Sequence, residues 1–179
     1  MPTSRPYALT EICTRIINAG PSSVLDIGTG FGKFGFLARE YTDVWNGRVS
    51  PDQWSVRITG IEAHEPYIGD LQRQVYDEII IGDALQILQS KEDNEWDLGI
   101  CCDVLEHFEK EDGIAFVEQM DRVCRRIMIT IPVKPAKQGS VHGNVYETHR
   151  SAWTREELEV YGKVDQFAAL YLLDSGKDK

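Results

Sequence analysis

Asp26, Glu62, Asp83 and Asp103 share one feature: each carboxylate lies at or just beyond the end of a short apolar run. Beside the first of them lies a glycine turn, VLDIGTGFGKFG from Val24 to Gly35, which reads in two ways. Through Gly30, Gly32 and Gly35 it spells G-x-G-x-x-G, a dinucleotide fingerprint that would cradle a pyrophosphate. Through Asp26, Gly28, Gly30 and Gly32 it spells D-x-G-x-G-x-G and sets a carboxylate at the mouth of the turn, where a pyrophosphate would be repelled. Helix N-capping accounts for Asp83 or Asp103 taken alone. It accounts poorly for Asp26, which is followed by glycines rather than a helix. A cationic ligand rich in hydroxyl and amine donors accounts for all four acids. Asp26 suits an ammonium group, and Glu62 can accept from a ribose diol. Asp83, with the backbone of Ala84 beside it, can accept from an exocyclic amine. Asp103 closes the floor near a positive centre, and the glycines let backbone approach the ligand.

A second set of reactive side chains occupies one segment. HGNVYETHRSAW packs His142, Asn144, Tyr146, Glu147, His149, Arg150 and Trp153 into twelve residues. Arg150 is suited to bidentate binding of an anion. His149, and His107 four residues after Asp103, are candidate proton acceptors. Each has a plainer alternative: His149 and Arg150 fixing the loop to the following helix, and His107 as a satisfied polar group beneath it. His142, Tyr146 and Arg150 are read as substrate contacts. No metal-binding spacing is recognisable, since His142 and His149 stand seven apart on a loop. DVLEHFEKED lacks the glycine and spacing of a calcium loop.

These residues need a scaffold that gathers strand ends. Apolar runs at 23–27, 55–61, 78–82, 96–102 and 126–131 read as buried strands. Helical patterns fall between them at 33–41, 67–75, 84–88 and 110–124. An N-terminal helix covers about residues 10–19 and ends at the AGP stop signal. Near-continuous apolar strands alternating with helices predict a doubly wound parallel sheet covered on both faces, an α/β/α sandwich. Ligands of such sheets bind beyond the carboxyl ends of the strands, where strand order reverses. Residues 132–152 form a long connection over that edge. A helix opened by the capping box of Thr154 and Glu157 follows, and the tail has room for an antiparallel pair of strands. The stretch Thr42–Ser55 is an insertion that Trp45 and Trp54 could pack onto the body, away from the site.

The 179 residues are expected to form a single domain. The net charge of −10, from 19 basic and 29 acidic residues, disfavours a nucleic-acid partner. Four cysteines without C-x-x-C spacing suggest buried thiols in a reducing, cytoplasmic setting. No apolar run reaches membrane-spanning length, and the N-terminal residues lack a signal-peptide core.

VLDIGTGFGKFG, GIEA, GDA and WDLGICCDVLEHF, in that order and each after an expected strand, resemble the motifs of class I S-adenosylmethionine-dependent methyltransferases. The resemblance spans about Val24 to Ile131. It implies a seven-stranded Rossmann-like sheet, mostly parallel with an antiparallel last strand. It implies that S-adenosyl-L-methionine is the cofactor, with its methionine moiety at Asp26, Gly28, Gly30 and Gly32, its ribose at Glu62 and its adenine at Asp83 and Ala84. DVLEH resembles variants that methylate small molecules. Two further readings stay open: a non-catalytic cofactor-binding module, and a methyltransferase acting on protein or nucleic acid.

Overall fold

The computed structural model describes residues 3–141 and 143–176. After a 3-10 turn at Pro6–Ala8 the chain runs α1 (Leu9–Ala19), β1 (Ser23–Ile27), α2 (Lys33–Thr42), β2 (Arg57–Glu62), α3 (Asp70–Val75) and β3 (Glu78–Ile81). It continues as α4 (Ala84–Gln89), β4 (Trp96–Cys102), α5 (Lys110–Val123), β5 (Cys124–Pro132), α6 (Arg155–Glu159), β6 (Lys163–Phe167) and β7 (Leu170–Gly176). The seven strands form one sheet in the order β3-β2-β1-β4-β5-β7-β6. The first five are parallel, and β7 runs antiparallel to both β5 and β6. Strand order reverses between β1 and β4, which opens the crevice at their carboxyl ends.

Period-two alternation divides each strand between two cores. On one face Leu25, Ile27, Cys101, Ile127 and Ile129 pack with Phe116, Val117 and Met120 of α5. On the other, Val24, Ile58, Leu98, Ile100 and Met128 pack with Ile12 and Ile16 of α1 and with Phe34 and Ala38 of α2. The same alternation places Asp26 on the side of Val24, beneath α2.

Several boundaries differ from the sequence reading for local reasons. The helix expected over 67–75 is a 3-10 turn at Glu65–Tyr67 followed by the short α3, because Pro66 and Gly69 break its regular course. The helix that the capping box was expected to open is only five residues long, Arg155–Glu159, with Thr154 outside as its N-cap and Glu157 completing the box. In the 42–55 insertion, Asp43 is wholly buried and accepts from Arg39, Arg48 and the Ser55 amide. The Arg39 guanidinium lies 4.4 Å from the Trp54 ring centroid. Trp54 therefore helps fasten the insertion, whereas Trp45 is 69% exposed and only leans on Tyr41.

Candidate functional site

The carboxyl ends of β1, β2, β3 and β4 converge on a cavity of about 510 Å³, within the range of small-molecule sites. Its wall includes Gly28, Gly30, Glu62, Asp83, Ala84, Asp103, His107, Tyr146, His149 and Arg150.

 Residues as distant in sequence as Gly28 and Arg150 meet here because the parallel strands all end at one edge of the sheet.

Among the described residues, two of the candidate site residues, Gly32 and Asp26, do not line the cavity. Gly32 is the N-cap of α2, at φ +89°. Asp26 corrects the sequence reading more sharply. Its side chain is fully buried behind the turn rather than at its mouth, and it accepts from the Tyr76 hydroxyl and from the Gly35 amide at 3.1 Å. Gly35 is the third residue of α2. Asp26 thus has, through space, the helix-N-terminal role that its sequence position seemed to deny it. Burial pushes its pKa up to about 6 against the opposing effect of these two donors. Gly35 is a packing glycine, because a Cβ there would run into the Tyr76 ring.

Glu62 lines the cavity and also braces the turn. Its Oε2 accepts from the Gly30 amide at 2.9 Å, and its Oε1 accepts from the His64 amide at 2.8 Å. Asp83 caps α4 by accepting from the Gln86 amide at 3.0 Å, so the capping role and the wall position coexist. Asp103 stands at φ +56°, a left-handed conformation that is costly for a non-glycine residue. Thr130 donates to it at 3.2 Å, and burial raises its pKa. Gly28, at φ +75°, has no room for a Cβ against Val104.

The 132–152 connection does cover this edge. The Arg150 and Ser151 amides donate to the Glu106 carbonyl at 2.8 and 3.1 Å, and the Tyr67 hydroxyl donates to Glu147 at 3.1 Å. Arg150 pairs with Glu109 at 3.3 Å, and Tyr146 is about half exposed on the wall. His142 lies outside the described residues. Burial lowers the His107 pKa, opposed by the carbonyls of Thr148 and Asp103.

The sequence reading missed several wall residues. Lys33 donates to the Ser4 carbonyl at 2.7 Å, and Ser4 and Arg5 close one side of the cavity. Nothing in the spacing of residues 3–5 signals this. Glu106, within the quoted DVLEH stretch, is 1% exposed, and its Oε2 has no hydrogen-bond partner. Burial, with Asp103 and Glu147 nearby, pushes its pKa up to about 8. One ligand atom each from Glu106, His107 and His149 lies within 4.8 Å of the others. The sequence showed no metal-binding spacing because His149 reaches this cluster only through the returning loop.

No protein-family model and no curated protein matches the sequence. Solved structures do match its fold. The PH0226 protein from Pyrococcus horikoshii OT3 superposes with a TM-score of 0.67 at 19% identity, over 97% of this chain and 90% of that one. The DhpI–SAH complex gives 0.64 at 16%, over 97% and 88%. A SAM-dependent methyltransferase from Archaeoglobus fulgidus gives 0.58 at 20%, over 84% of this chain and 65% of that one. The likeness is one of backbone architecture, that of Rossmann-like methyltransferases.

Proposed function

We propose that this chain binds S-adenosyl-L-methionine in the crevice and transfers its methyl group to a small molecule. The observation that carries the reading is the row of carboxylates at Glu62, Asp83 and Asp103 along one wall, with open backbone at Gly28 and Gly30 between them. In this reading Glu62 accepts from the ribose hydroxyls and Asp83 from the adenine amine, with the Ala84 backbone beside it. Asp103, rather than the buried Asp26, meets the ammonium group, and Lys33 meets the carboxylate. The cofactor supplies a methyl carbon activated by its sulfonium, so the protein's part is position and electrostatics. His107, His149, Tyr146 and Arg150 form the acceptor side.

The fold is shared with methyltransferases, including one solved with SAH bound, and this supports the cofactor assignment. The net charge of −10 favours a small acceptor over a nucleic acid. The test is transfer of labelled methyl from S-adenosylmethionine to a broad panel of hydroxylated, carboxylated and amine metabolites. Label in at least one product is expected. Inactivity across the panel, with cofactor binding intact, would favour the non-catalytic module instead.

A further inference from the structure

We propose that Glu106, His107 and His149 form a binding site for a divalent first-row transition-metal ion on the acceptor side of the cavity. Their ligand atoms already lie within 4.8 Å of one another. Bonds of about 2.1 Å to an ion would bring them to roughly 3–3.5 Å, a modest side-chain adjustment. Glu106 is 1% exposed with Oε2 unpartnered. Such a group is costly to bury unless something pairs with it. Arg150, on the adjoining loop, engages Glu109 instead.

The histidines carry a second, independent indication. Nδ1 of His107 sits 3.2 Å from the Thr148 carbonyl, and Nδ1 of His149 sits 2.6 Å from the Ala136 carbonyl. When Nδ1 carries the proton in each contact, Nε2 is left with its lone pair. This is the outer-shell support that metal-ligating histidines receive. The two rings lie 5.0 Å apart, and the Glu106 carbonyl ties their two segments together. Two imidazoles and one carboxylate suit zinc-like ions rather than magnesium or calcium. All three residues face the cavity wall, so positions left open on the ion could take an oxygen donor of the acceptor. That last role rests on the methyl-transfer reading; ion binding does not.

The test is titration of chelator-dialysed protein with Co2+, followed by visible absorption, with Mg2+ as competitor. Saturable binding of one equivalent is expected, unaffected by Mg2+ and weakened at least about tenfold in both Glu106→Gln and His149→Ala. His149 is on the loop, so its variant keeps the test valid should the Glu106 variant misfold. No saturable binding, full competition by Mg2+, or wild-type affinity in His149→Ala would overturn the site. S-adenosylhomocysteine binding is measured in parallel. Its failure with Co2+ binding intact would contradict the proposed function while supporting the ion site.

Discussion

Asp26 shows how far one residue's role depends on which way it faces. Its pKa is raised from 3.8 to about 6 by burial, equivalent to about 3 kcal/mol between its two protonation states. A carboxyl raised in the folded state stabilises the fold fully below its unfolded value, and that contribution is lost as pH rises through the folded value. Between about pH 4 and 6.5, the stability of wild type relative to Asp26→Asn should therefore fall. Chemical denaturation of both proteins across this range measures it; a constant difference would refute the assignment. Glu62 is the complementary case, because it both braces the turn and faces the cavity. Glu62→Gln should weaken S-adenosylhomocysteine binding by about 1–3 kcal/mol, read by calorimetry. Unchanged affinity would remove Glu62 from the site.

Among the elements, the covering loop depends on anchors at its ends. Trp153 is 3% exposed and packs against Gly113 of α5, and the Lys110 ammonium lies 3.7 Å from its ring centroid. Trp153→Ala should cost about 3–5 kcal/mol and raise the KM for the acceptor more than it weakens cofactor binding. Denaturant unfolding with acceptor kinetics checks both. The strands and the glycine turn were legible in the sequence because their signals are local: continuous apolar runs and a fixed glycine spacing. Strand alternation could also have placed Asp26, since it shares a face with Val24. The meeting of His149 with Glu106 was not legible, because it depends on where a long loop returns.

At the scale of the whole molecule, the sheet brings the ends of four strands to one cavity, and acidic side chains outnumber basic ones along its wall. Seven carboxylates (Glu62, Asp83, Asp103, Glu106, Glu109, Asp112 and Glu147) line it against four Lys and Arg residues (Arg5, Lys33, Lys134 and Arg150). Topology was readable from the order of elements, and so were the acids that end the strands. The closure by residues 3–5 was not, since no pattern in them points to the cavity. The most direct measurement is calorimetric titration of the protein with S-adenosylhomocysteine and, separately, with NADH. Saturable single-site binding of the former at micromolar affinity, about −8 kcal/mol, with no measurable NADH binding, is the predicted result. Tighter binding of NADH than of S-adenosylhomocysteine would contradict it.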